Sequence, residues 1–364
     1  MPMNSFSRTA PAGHTLHGQD DLAACRALLQ QGSLTFFAAS LLLPSGVREP
    51  ASALYAFCRL ADDVVDDGDP VGSGAAIAGL RSRLNSVYQG RPLGITADRA
   101  LAQVVAQHRI PIALLEALLE GFEWDTQGRH YETLDELQAY AARVAGSVGA
   151  MMALLMGVRS ADGLARACDL GVAMQLSNIA RDIGEDARMG RLYLPRQWLR
   201  EAGMDPDAWL RCPVFTDALG TVVARLLAAA DTLYQRVDAG VAQLPLACRP
   251  GINAARFLYA DIGHEVARRG LDSVNQRAVV PGSRKLWLLV RSVVVLAPGS
   301  TLPAPTALVA TQFLVDAAMQ AGGRAEASDL APPWWDLPGR VVWVIALFER
   351  MGQREHVGRL TSLS

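Results

Sequence analysis

"RLADDVVDDGD", residues 59–69, sets five carboxylates, Asp62, Asp63, Asp66, Asp67 and Asp69, beside Leu60, Val64 and Val65 in a stretch with helical spacing. Two carboxylates about 6 Å apart, at an effective dielectric near 20, repel by about 2–3 kcal/mol. A chain tolerates that either because water solvates the cluster or because a cation sits in it. Residues three and four apart share a helix face, so Tyr55, Arg59, Asp62 and Asp66 form one stripe. An isolated acidic run is more often a solvated helix end. A calcium loop does not fit, because with Gly68 as its glycine Val65 would fill a ligand position and Gly74 the place of the final Glu.

A second acidic segment changes the balance. "QLSNIARDIGEDARMGRLYLP", residues 175–195, puts Gln175, Asn178, Asp182 and Asp186 on one helix stripe. Oxygen donors without His or Cys favour Mg²⁺, with Mn²⁺ as the alternative, over zinc or copper. Mg²⁺ held by few carboxylates keeps positions that phosphate oxygens fill. Arg59, Arg181 and Arg191 stand among the acids, and guanidinium groups suit a diphosphate. Two such stripes in one chain point to a site that ionises a diphosphate.

The rest of the chain suits an apolar reaction. Of 364 residues, 51% are hydrophobic and 19% charged, so the chain is globular rather than disordered. A net charge of −2 gives no general pull towards nucleic acid. Cys25, Cys58, Cys168, Cys212 and Cys248 are scattered without a CxxC pair, which reads as reduced thiols of a cytoplasmic protein. Residues 1–18 lack the apolar segment of a signal peptide. The uncharged run 144–158 is too short to span a bilayer, and the run 292–315 is broken by Pro298, Gly299, Pro303 and Pro305. Either could line an apolar pocket or make peripheral contact with the inner membrane surface.

The helical period dominates, recurring near 20–31, 47–67, 97–109, 111–127, 134–157, 161–187, 216–240, 247–270 and 284–296. The expectation is an all-α chain: a flexible lead over 1–18, one catalytic domain over 19–297, and a proline-containing tail over 298–364 with an apolar helix around 339–351. Trp334, Trp335 and Trp343 in that tail read as packing residues before interfacial anchors. "VAGSVGAMMALLMGV", residues 144–158, suits either the wall of an apolar cavity or a close-packed core helix. Ala39, Ser40, Ser52 and Ala53 are small, and Ser40 and Ser52 are expected to face the pocket beside Phe36 and Tyr55.

These segments resemble the squalene/phytoene synthase family, from about Gly32 to Leu296. The likeness is densest in "GSLTFFAASLLLPSGVREPASALYAFCRLADDVVDD", "YAARVAGSVG" and residues 175–195, and with "CRPGINAARFLYADIGHEVARRGLDSVNQRAVV" it is most like bacterial phytoene synthases. The resemblance implies an isoprenoid synthase-type helical bundle around a central apolar cavity. It implies Mg²⁺ ligands at Asp62, Asp66, Asn178, Asp182 and Asp186, with Gln175 beside them. It also implies diphosphate and cation contacts at Ser33, Tyr55, Arg59, Tyr140, Arg181, Arg191, Tyr259 and Arg277. Many members carry Lys after the serine of the first segment, where this chain has Leu34. Lys285 or Arg48 is the expected substitute.

The activity so implied is Mg²⁺-dependent head-to-head joining of two geranylgeranyl diphosphates, through the cyclopropyl prephytoene diphosphate, to phytoene. The alternatives are the same chemistry on farnesyl diphosphate, giving dehydrosqualene or squalene, and a non-catalytic assembly factor. The intact acidic stripes speak against the last. No oligomeric partner is read from the sequence.

Overall fold

A computed structural model describes residues 13–66, 73–295 and 306–322 of the chain. Among these residues the structure is helical, without strands. The helices are α1 (Gly13–Gly32), α2 (Leu34–Ser40), α3 (Ser45–Asp66), α4 (Ser73–Tyr88), α5 (Thr96–His108), α6 (Ile112–Thr126), α7 (Leu134–Ala141), α8 (Ser147–Leu155) and α9 (Ala161–Arg188). They continue as α10 (Arg196–Glu201), α11 (Pro206–Arg211), α12 (Asp217–Val241), α13 (Arg249–Arg268), α14 (Gly282–Val294) and α15 (Gln312–Gly322). A π-helical turn, Ala142–Gly146, joins α7 to α8.

Local chemistry sets several of the helix starts. Ser33, Thr133, Ser160, Asp205 and Thr216 cap α2, α7, α9, α11 and α12, each side chain accepting a backbone N–H of the first turn. The Glu136 carboxylate accepts the amide of Glu132, one residue before the Thr133 cap of α7. At the other end of α9, Gly190 takes a φ of 74°, a conformation that stops the helix and turns the chain toward Arg191.

The 28-residue α9 is the axis of the bundle, packed against α8, α12, α13 and α15. Glycine makes that approach close. A methyl group at Gly149 would collide with the carbonyl of Ala167, and one at Gly171 with the carbonyl of Ala145. The small residues of 144–158 therefore serve helix packing, and several of them face a cavity as well.

Three expectations are revised. The flexible lead expected over 1–18 is helical from Gly13 onward. Helix α4 falls in a segment whose apolar positions are diluted by Gly74, Gly79 and Ala residues, so the period was weak there. Helix α15 lies beyond the expected domain end at 297 yet packs on α6, α8 and α9, with Leu314 fully buried. Asp67, Asp69, the tryptophans of the tail and the helix expected around 339–351 lie outside the described residues. No helix among the described residues is long and apolar enough to cross a membrane.

Candidate active site

One face of α9 builds the floor and mouth of the site together. Gly163, Arg166, Ala167, Leu170, Gly171, Met174, Gln175 and Asn178 follow each other at helical spacing along a cavity of about 270 Å³. A single water needs only about 10–15 Å³ by the same kind of measure, so this is a tunnel and not a packing defect. Its other walls come from α3, from the π-turn and α8, from α12 and from α13, and they are almost wholly apolar. Apart from Arg166, the polar groups of the lining gather at one end, where Ser33, Tyr55, Gln175, Asn178 and Tyr259 meet. Beyond that end α3 and α9 carry their acidic residues.

Ser40 and Ser52 do not line this cavity. Both are buried, and each hydroxyl donates to its own helix backbone, Ser40 to Phe37 O and Ser52 to Arg48 O. Their small size serves close packing of α2 and α3.

At the mouth, Tyr55 stacks on Phe36 with ring centroids 5.9 Å apart. The Ser33 hydroxyl accepts the Phe36 amide at 3.3 Å, and Tyr259 lines the same cavity with it. Arg59 holds Asp62 at 3.2 Å and Asp63 at 2.6 Å, so the cation of α3 is shared with a carboxylate, Asp63, outside the expected stripe. The α3 helix ends at Asp66, whose side chain lies outside the described residues.

On α9, Arg181 binds Asp182 in two-pronged fashion, Nε to Oδ1 at 2.8 Å and Nη2 to Oδ2 at 2.5 Å. Arg277 joins from the other side, with Nε 2.8 Å from Asp182 Oδ1 and 3.4 Å from Glu185. Arg277 stands there because the loop before it seats on Gly184: the Gly184 amide donates to Ser273 O, and any side chain at 184 would strike the Val274 backbone. Burial pushes the Asp182 carboxyl up, but the bonds from the two arginines outweigh it and leave the group below its ordinary value.

Asp186 behaves in the opposite way. Burial raises it to about 7, with the charges of Asp182 and Asp125 adding to the shift and Arg191 opposing it. Asp125, on α6, is the residue that sequence reasoning missed. Its carboxylate accepts hydroxyls from Tyr140 and Tyr193, each at 2.8 Å, and it feels the charges of Asp62 and Arg191. Burial raises Asp125 to about 6 although both tyrosine bonds act against the shift. Tyr131, Tyr140 and Tyr193 pack ring on ring around it, with centroids 5.2–6.2 Å apart. Asp125 thus couples the acids of α3 to those of α9.

Of the two expected substitutes for lysine at position 34, one is near the acids of α9. Lys285 lies with Thr35, Arg181 and Arg277 around a second, smaller cavity of about 160 Å³ beside the acids. Arg48 is not: it sits eleven residues before Arg59 on α3, about 16 Å away along the helix. Leu34 itself points outward and is 72% exposed.

Among the described residues, no three Asp, Glu, His or Cys side chains stand close enough together to hold a metal ion. The donors are nonetheless all oxygen, and burial and mutual charge raise Asp125 and Asp186 above the ordinary carboxylate range. A divalent cation relieves that repulsion, so the chemistry of the set fits one.

Comparison with known proteins agrees with this geometry. The squalene/phytoene synthase family model matches residues 29–284. A phytoene synthase of Rhodobacter capsulatus is 54% identical over 78% of this chain and 84% of that relative. One of Cereibacter sphaeroides is 52% identical over 84% and 91%. A solved dehydrosqualene synthase in complex with ligand superposes with a TM-score of 0.70 at 30% identity, covering 77% of this chain and 98% of that one. An apolar tunnel under two acidic helices, with arginines at its mouth, is the arrangement of a chain that belongs to the squalene/phytoene synthase family.

Proposed function

We propose that this enzyme is a phytoene synthase that joins two geranylgeranyl diphosphates head to head in carotenoid biosynthesis. The observation that carries the reading is the continuity of α9, whose one face runs from an apolar tunnel floor to Asn178 and whose next two turns bear Asp182 and Asp186. A prenyl chain in the tunnel presents its diphosphate to those acids.

Asp62, Asp66, Asn178, Asp182 and Asp186 would hold Mg²⁺, or Mn²⁺ in its place. The bound cation supplies Lewis-acid stabilisation of the departing diphosphate. Arg59, Arg181, Arg277 and Lys285 take the charge that develops on the leaving group, and the arginines do so with paired N–H donors. Ionisation leaves an allylic cation, and the apolar walls keep water from it. The Tyr259 hydroxyl, in the cavity lining with Ser33, and the Tyr140 hydroxyl, fixed by Asp125, are the polar groups that would face that cation. Final proton loss from the rearranged cation requires a base, and the released diphosphate together with these hydroxyls is the nearest acceptor set.

Incubation of the purified protein with Mg²⁺ and geranylgeranyl diphosphate, followed by hydrocarbon extraction, tests the proposal. Phytoene is the expected product. Absence of any forty-carbon hydrocarbon from an otherwise folded preparation would overturn it.

A further inference from the structure

We infer that Arg166 constricts the tunnel at the depth of a twenty-carbon prenyl chain, one turn short of Gly163 at its far end, and so sets the length of substrate the enzyme accepts. The inference rests on reading the tunnel as the prenyl site. Arg166 faces the cavity from α9, twelve residues before Asn178, and twelve residues of helix span about 18 Å. Three bonds of extended chain span about 3.3–3.6 Å, so a geranylgeranyl main chain of sixteen carbons is about 18 Å long and a farnesyl one of twelve is about 13 Å. A farnesyl chain anchored at Asn178 ends near Leu170. A geranylgeranyl chain runs on past Ala167 and meets Arg166.

The arginine is built in as a fixed wall. It is 1% exposed, and its guanidinium lies 3.2 Å from Asp169 and 3.7 Å from Asp162, with Nη2 3.4 Å from the Thr306 carbonyl. Asp169 is itself fully buried and accepts Arg236 Nε at 2.9 Å, and Arg236 donates to the same Thr306 carbonyl. Gly240 of α12 closes the opposite side, where a methyl group would collide with the Arg166 side chain. A longer alkyl chain has to press into this ion-paired cluster, and displacing Arg166 leaves the Asp169 charge buried with one partner fewer. Above the wall, Ala167 and Gly171 are small and leave the lower tunnel open.

The experiment measures kcat/KM with farnesyl, geranylgeranyl and geranylfarnesyl diphosphate for wild type, Ala167→Phe, Leu170→Phe and Arg166→Met, with circular dichroism on each. Wild type should favour the twenty-carbon substrate over both others. Filling the tunnel with Ala167→Phe or Leu170→Phe should move the geranylgeranyl-to-farnesyl ratio at least tenfold towards farnesyl. Arg166→Met, which keeps the length and removes the charge, should move the geranylfarnesyl-to-geranylgeranyl ratio at least tenfold upward. Should Arg166→Met fail to fold, Arg166→Gln takes its place with the same expected shift, and an unchanged geranylfarnesyl-to-geranylgeranyl ratio in a folded Arg166 variant overturns the inference. Active, folded variants with wild-type ratios would overturn the inference and leave the proposed chemistry standing. A wild type inactive on all three substrates would instead overturn the proposed function.

Discussion

Tyr140, near the end of α7, donates its hydroxyl to Asp125 at 2.8 Å, and that bond ties the helix leading into the π-turn to a carboxylate that feels the charge of Asp62 on α3 and in turn raises Asp186 on α9. Tyr193 donates to the other oxygen of the same carboxylate, so Asp125 orients two phenols at once. Asp125→Asn keeps the shape but offers one oxygen acceptor where the carboxylate offers two. Its kcat should fall about a hundredfold with KM little changed, since a small misplacement of an oriented group costs about that much. Steady-state kinetics with geranylgeranyl diphosphate checks this; an unaltered kcat would show that Tyr140 needs no such support.

The arginine clamp around Asp182 makes a second prediction. Arg181 and Arg277 both present paired N–H groups there, and a diphosphate arriving at the mouth would engage the same forks. Arg181→Lys keeps the charge and loses the fork, so its kcat/KM should fall by about ten- to a hundredfold, the worth of one charge-assisted hydrogen bond. Equal kinetics for the lysine variant would mean that only long-range charge matters.

The raised acids predict how stability depends on pH. Asp125 at about 6 and Asp186 at about 7 lie above their unfolded values, so the folded state binds more protons than the unfolded one between about pH 4 and 7. Metal-free protein should therefore lose stability as pH rises through that window, and Mg²⁺ should restore it. Thermal melts in chelator from pH 5 to 8 read this directly. Asp186→Asn should flatten the slope, and a slope unchanged in that variant would place the cause elsewhere.

Lys285 and Arg48 separate cleanly by position. Lys285→Ala removes a cation beside Arg181 and Arg277, and KM should rise up to about fivefold, the usual range for a partly solvated charge. Arg48→Ala, about 16 Å away along α3, should leave KM within about twofold. Reversal of that order would mean that the diphosphate lies elsewhere.

What could be read from the chain follows from which contacts are local. Tyr55, Arg59 and Asp62, or Asn178, Asp182 and Asp186, share a face by helical spacing alone, so their grouping was visible before any fold. Asp125 was invisible because its partners, Tyr140 and Tyr193, lie 15 and 68 residues away. Asp63 fell outside the stripe by one position, yet the long Arg59 side chain reaches it. Ser40 and Ser52 shared the right spacing and still turned to their own backbones, because spacing gives a face but not which neighbour covers it. Lys285 was one of two candidates, and its place beside Arg181 and Arg277 comes from the fold of α14, which spacing along the chain does not give.

The claim that the paired acids ionise the substrate is tested most directly by turnover of geranylgeranyl diphosphate in Asp62→Asn, Asp182→Asn and, as a control off the stripe, Asp69→Asn. Removing one of several repelling carboxylates should leave the helical signal intact. The two stripe variants should lose at least about a hundredfold in diphosphate release, within the loss expected when an electrostatic contact to a developing charge is removed, while the control keeps wild-type rates. Near-wild-type release by both Asp62→Asn and Asp182→Asn would contradict the assignment of this site.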